Sequence, residues 1–223
     1  LTEQSNHSKD SAAQSRYIVV EGPIGVGKTS LARLLAERLK ARTFYEQVEQ
    51  NPFLEAFYKN PEKYAFQTQI FFLLFRFQQQ KELAQQDLFK QTTISDYLFA
   101  KDRVFAYLNL TEQELWLYEQ LYKQLDPKIV KPDLVVYLTA DAKILMRRIK
   151  QRGFIYERRI TQAYLEEVVR SYSKFFFSYD QSPLLVVNTN DFDFVHSTDD
   201  FESLVKEIEN TRHGVKHFIP LNA

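Results

Sequence analysis

The sequence of 223 residues contains no cysteine. That removes disulfides, thiolate metal sites and thiol nucleophiles together, and it is compatible with a reducing compartment such as the cytoplasm, which is the expected location. Net charge is also lacking: 29 lysines and arginines face 29 aspartates and glutamates. Nothing in that balance points to a nucleic acid polymer or an anionic membrane, and a small ligand fits better. Long apolar runs are missing as well. The longest, Ile70 to Phe75, stops at Arg76, far short of the roughly 20 residues a membrane helix needs. Glycine is scarce, at five residues, so a cluster of glycines carries information.

What is present is a core-forming content of 44% hydrophobic residues, enough for one substantial α/β domain. Residues 1–15, rich in Ser, Gln, Asn and Lys, are expected to be a disordered lead cut from something longer, with a single domain over 16–223. Tyr17-Ile18-Val19-Val20 reads as a strand, followed by a glycine-rich turn and by Leu31, Leu34, Leu35 and Leu39 at helical spacing. Further short apolar runs lie at Ile94–Asp96, Leu134–Leu138 and Leu184–Val187, with Thr43–Tyr45 a weaker one. Helical patterns over 53–58, 64–86, 141–152, 161–179 and 199–210 separate them, the last followed by a short tail. Strands alternating with helices predict a three-layer α/β fold, a five-stranded parallel sheet flanked by helices on both faces.

Gly22-Pro23-Ile24-Gly25-Val26-Gly27-Lys28-Thr29 matches G-x-x-x-x-G-K-[ST] between a predicted strand and a predicted helix. The glycines let successive N–H groups converge on one anion, Lys28 reaches phosphate oxygens, Thr29 offers a hydroxyl to Mg²⁺, and Ser30 continues the helix start. The motif establishes a nucleotide, not a reaction. No N-K-x-D segment marks a GTPase, and no apolar run ending in Asp-Glu marks a Walker-type ATPase. A small-molecule or nucleotide kinase remains.

From about Arg16 to Asn210 the chain resembles the deoxynucleoside kinase family in its bacterial deoxyadenosine/deoxyguanosine kinase-like branch. The segments that carry the likeness are 20–30, 45–49, 58–68 (YKNPEKYAFQT), 95–106 (SDYLFAKDRVFA), 148–157 and 183–189. The resemblance implies phosphorylation of a deoxynucleoside 5′-hydroxyl by ATP or another NTP, purines slightly favoured. It makes Glu46 the general base, with Glu49 its neighbouring competitor. It sets Tyr58 and Glu157 on the 3′-hydroxyl, Gln67 against the base, and Asp96 with Thr29 near Mg²⁺; Phe71, Phe75 and Phe105 are the candidates to sandwich the base, most other phenylalanines being core. Asp102 falls near the base edge, with Leu74 in place of its usual arginine partner. Tyr97 stands where the family has an arginine, and Arg103 is the nearest replacement in sequence.

Arg148 and Arg152 lie four apart on one helix face, and the resemblance makes them phosphate-closing lid arginines. Phe154 replaces a third, with Arg158 as a possible substitute. Asp191 and Phe192 fall in the loop that contacts the donor adenine. The four histidines lie outside every matching segment. Homodimerisation is expected through helices near 64–86 and 99–125. The rival readings are a thymidylate kinase-like nucleoside monophosphate kinase, and a non-catalytic family member acting as an interaction protein.

Overall fold

The computed structural model describes residues 16–85 and 91–219; the expected lead over 1–15 and the helical reading of Gln86 lie outside them. The six described strands are β1 (Tyr17–Glu21), β2 (Arg42–Phe44), β3 (Thr93–Ser95), β4 (Leu134–Thr139), β5 (Leu184–Asn188) and β6 (Val215–Phe218). They form one sheet in the order β2-β3-β1-β4-β5-β6, with every pairing parallel. The expected five strands are all there. The sixth is the tail: Val215-Lys216-His217-Phe218 pairs with β5 at the sheet edge. Only two of its four residues are apolar, and an edge strand bearing charge is what a solvent-facing border favours, so hydrophobic pattern alone passes it by.

Because side chains alternate across a strand, β1 sends Ile18 and Val20 to one face and Tyr17 and Val19 to the other. The first face packs on α1 (Lys28–Leu39), α6 (Ala142–Arg152) and α8 (Thr198–Asn210). The second packs on α3 (Pro61–Gln85), α4 (Asp102–Asn109) and α7 (Gln162–Phe177). The short α2 (Leu54–Lys59) precedes α3. A third cluster, including Leu73, Phe99, Tyr118 and Tyr122, joins α3 to α5 (Glu112–Leu125), whose start is fixed by a capping box between Thr111 and Glu114.

After β1 the chain crosses to β2 on one side, and β4 later lies on the other side of β1. The carboxyl ends of strands beside such a reversal open a crevice where ligands bind. The turn at 22–27 occupies that opening. A Cβ on Gly22 would stand 2.4 Å from the Leu138 carbonyl oxygen of β4, and one on Gly25 would stand 2.7 Å from Ile149 of α6. Glycine is required there by close approach.

Candidate active site

The crevice is a cavity of about 1150 Å³ running from the turn at 24–30 to the inner face of α3. At its donor end Gly25 and Gly27 hold positive φ of 82° and 107°. Helix α1 begins at Lys28 with no side-chain cap and no acidic residue in its first turn, so its first amides and its positive dipole end are left for an anion. Ile24, Val26 and Ser30 also line this end. Lys28 Nζ donates to the carbonyl oxygens of Gly22 (2.8 Å) and Pro23 (3.2 Å). Of the expected loop residues, 24–30 line the cavity, and Gly22 and Pro23 lie behind them as acceptors for Lys28.

The acceptor end is built around Glu46. Asp96, at the end of β3, accepts from the Thr29 hydroxyl (2.5 Å) through one oxygen and from the Glu46 backbone N–H (2.7 Å) through the other. One carboxylate thereby ties the donor loop to the segment after β2. The Glu46 carboxylate accepts from Arg76 Nε at 2.8 Å and from Lys101 Nζ at 2.7 Å. Burial acting alone would raise its pKa, but Arg76 and then Lys101 overcome that and hold it below the usual carboxylate range. Glu21, wholly buried, accepts from the backbone N–H groups of Gly22 and Leu98 and from the Tyr172 hydroxyl. Stripping one partner from a buried pair such as Arg76–Glu46 costs about 3–5 kcal/mol, so this cluster fixes side-chain positions strongly.

Two replacements expected from the sequence are not the ones observed. Arg103 turns outward and donates to Glu119 (2.9 Å) and Tyr107 (3.2 Å); Lys101, two residues earlier, enters the cavity instead. Asp102 does have an arginine partner on the long helix, but it is Arg76, not a residue at the position of Leu74, which is half exposed. Asp102 does not line the cavity. It is fully buried behind it, accepting from Arg76, from Gln69 Nε2 (2.8 Å) and from the Tyr118 hydroxyl (2.7 Å).

The same register error affects the base reader. Gln67 is exposed and outside the cavity, while Gln69 is buried and lines it. Two residues turn a helix by about 200°, which exchanges faces. The buried stripe of α3 runs through Ala65, Thr68, Gln69, Leu73, Arg76, Gln79, Gln80 and Leu83. Phe71 is likewise off the cavity, stacked on Phe75 at 5.8 Å, and Phe72 takes its place with the Arg76 guanidinium 4.6 Å from its ring centre. The stripe mixes Thr68, Gln69, Arg76, Gln79 and Gln80 with Ala65, Leu73 and Leu83, so no apolar face marks which glutamine turns inward.

Over the opening, Tyr58 and Glu157 both face the cavity as expected. Arg152 pairs with Glu157, its Nε 3.2 Å from Oε2. Arg148 donates to the Val26 carbonyl (3.3 Å) and the Thr189 carbonyl (2.7 Å), pinning α6 to the donor loop and to the end of β5. Phe154 stacks on Tyr156 at 5.4 Å, and Tyr156 lies nearly parallel to Tyr58 at 6.5 Å. Arg158 is exposed and does not reach the cavity; Arg147 lines it. Glu49, the competitor for the base role, lies 3.4 Å from the Tyr156 hydroxyl at the opening. Asp191 and Phe192 line the donor end.

Burial, and next the charge of Lys101, push the Lys28 ammonium down to about 8. The phosphate-binding form is the protonated one, present below that pH and lost as pH rises through it. kcat/KM for the phosphate donor, which reports the free enzyme, is therefore expected to fall above about pH 8. An acidic limb from Glu46 is not expected between pH 5 and 7. A profile flat to pH 10 would contradict the assignment.

A family model described as Deoxynucleoside kinase matches residues 18–213. The chain is 33% identical over 198 residues to the deoxyguanosine kinase of Bacillus subtilis, covering 86% of this chain and 96% of that one. It is 29% identical over 210 residues to the deoxyadenosine/deoxycytidine kinase of the same organism, covering 90% and 94%. Among solved structures, deoxyadenosine kinase from M. mycoides with bound dCMP and dCDP superposes with a TM-score of 0.76 at 27% identity, over 86% of this chain and 98% of that one. The same enzyme with bound dATP gives 0.75 at 26% identity, over 87% and 100%. With its phosphate loop, its central carboxylate and its parallel sheet in the arrangement described, this chain belongs to the deoxynucleoside kinase family.

Proposed function

We propose that the chain transfers the terminal phosphoryl group of ATP or another NTP to the 5′-hydroxyl of a purine deoxynucleoside, in cytoplasmic nucleotide salvage. The observation that carries this reading is the Asp96 bridge, which sets the Glu46 carboxylate in one cavity with the phosphate loop. Backbone amides at 25–30 and Lys28 hold the triphosphate. The sugar lies between Tyr58 and Glu157, and the base lies against Gln69, Phe72 and Phe105. Gln69 spends its amide N–H groups on Asp102, so its oxygen is the group offered to the base. The relatives named for deoxyguanosine and deoxyadenosine support a purine.

In the transfer step the 5′-O–H proton passes to Glu46 and the oxygen bonds to the γ-phosphorus. The bond from that phosphorus to the β-phosphate oxygen breaks, its electron pair leaving with the diphosphate. Glu46 is a weak base, but little proton transfer precedes bond formation in a loose transition state, so orientation counts for more than basicity. Thr29 and Asp96 present two hard oxygens side by side. Among the described residues no group of three or more acidic or histidine side chains offers a full metal cage. Such a partial set suits Mg²⁺ carried on phosphate oxygens, where it would neutralise their charge.

Arg76, the arginine of the acceptor end, is committed to Glu46 and Asp102. That favours a hydroxyl acceptor over the phosphate acceptor of a monophosphate kinase, and the intact Lys28, Glu46 and Asp96 speak against a purely structural role. Homodimerisation is supported by exposed apolar side chains on α3 to α5, namely Leu74, Tyr107, Trp116 and Leu117. Light scattering is expected to give about twice the 26.5 kDa chain mass; a monomer at micromolar concentration would refute it.

Glu46→Gln is expected to lower turnover roughly 10²-fold or more with donor affinity nearly unchanged. ADP release measured over the four deoxynucleosides and dTMP should be highest with deoxyguanosine or deoxyadenosine. Release with dTMP alone would assign a monophosphate kinase, and release with none a non-catalytic role.

A further inference from the structure

We propose that Lys101 is a catalytic residue of this enzyme: the cation that stands beside Glu46 and contacts the 5′-oxygen and the phosphoryl group as they join. This inference rests on the reading of Glu46 as the base. Lys101 ends the single 3-10 turn Phe99–Lys101 that follows β3. It is 2% exposed, and the face it retains is on the cavity. Its ammonium lies 2.7 Å from Glu46 Oε2. The nearer Glu21 oxygen is 3.7 Å away, and both Glu21 oxygens are already satisfied by Gly22, Leu98 and Tyr172. Lys101 is also the cation paired with Glu21, and Arg76, which donates to the other oxygen of Glu46, is shared with Asp102, so Lys101 completes the charge balance of this cluster.

Beyond that balance, Lys101 faces the cavity. Its ammonium is buried in the same cavity as that of Lys28, and the two repel. Like charges converge in this way where an anion is to lie between them. Tyr97, at the place where the resemblance expects an arginine, is itself 1% exposed and absent from the cavity wall. Arg103 is engaged outward. Arg76 also reaches this end but is tied to Asp102 as well as to Glu46, which leaves Lys101 as the cation there that can turn toward an arriving phosphoryl group.

Its position also gives it the right timing. While Glu46 is ionised, the ammonium is held by that carboxylate. As the 5′-O–H proton passes to Glu46 and the O–P bond forms, the carboxylate charge is quenched, and the ammonium turns its charge to the arriving phosphoryl oxygens. The bridging bond to the β-phosphate breaks at the same time, and the proton later leaves Glu46 for water. An interaction that strengthens only along this path lowers the barrier and raises kcat, with little effect on ground-state binding.

The absence of cysteine from the sequence makes a clean test. Lys101→Cys carries the only thiol, which 2-bromoethylamine converts to a lysine-length ammonium and iodoacetamide to a neutral amide. The cysteine form is expected to lose roughly 10²-fold or more in kcat, the scale of removing one transition-state donor, with each KM changed only a few-fold. Aminoethylation should restore kcat to within about tenfold of the parent at an unchanged melting temperature, and the neutral adduct should not. Near-parental kcat in the cysteine form, or equal recovery with either reagent, would overturn the proposal. Should Lys101→Cys fold poorly, Lys101→Arg carries the test: it must keep kcat within about tenfold, and a larger loss at parental melting temperature refutes the role. Normal turnover of Glu46→Gln beside a crippled, amine-rescued Lys101→Cys would sink the base assignment and leave Lys101 standing. The converse pattern would sink Lys101 alone.

Discussion

A single carboxylate, Glu46, held between two buried cations sets the geometry on which everything else depends. Arg76 arrives from α3 and Lys101 from the turn after β3. The backbone of Glu46 is fixed to Asp96, and Asp96 is fixed to the Thr29 hydroxyl of the donor loop. Four segments distant in sequence are locked to one another around charges that are costly to separate once water is excluded. The same cations that hold Glu46 rigid make it a weak proton acceptor, which is a small disadvantage for a reaction governed by alignment and charge.

Behind this triad stands a second layer. Asp102, without access to the cavity, fixes both Arg76 and Gln69. One buried acid thereby sets both the cation beside Glu46, the proposed base, and the amide proposed to meet the nucleobase. A change at Asp102 should disturb recognition and turnover together, because the two functions share a support. The cover over the cavity is built differently, from the stacked rings of Tyr58, Tyr156 and Phe154 and the Arg152–Glu157 pair.

How much of this was legible in the sequence depends on whether local pattern or long-range packing decides each residue. The loop at 22–29 was readable because its chemistry requires glycine at fixed offsets. The strands were readable because burial on both faces leaves continuous apolar runs. β6 was not, since an edge strand needs no such run. On α3 the Gln-Phe-Gln order offered two candidate glutamines, and the choice between Gln67 and Gln69 turns on which face meets the sheet. The buried face of α3 is itself rich in polar residues, so local pattern does not answer it. Lys101 was hidden for a different reason: its role comes from folding back toward Glu46, 55 positions earlier, and no sequence spacing encodes that.

The account is tested most directly by a crystal structure of the enzyme with deoxyguanosine and a non-hydrolysable ATP analogue. It predicts the 5′-oxygen within about 3.2 Å of a Glu46 carboxylate oxygen, the Lys101 ammonium beside that pair, and the base against Gln69. A nucleoside whose 5′-oxygen lies on Glu49, or whose base lies away from α3, would contradict it.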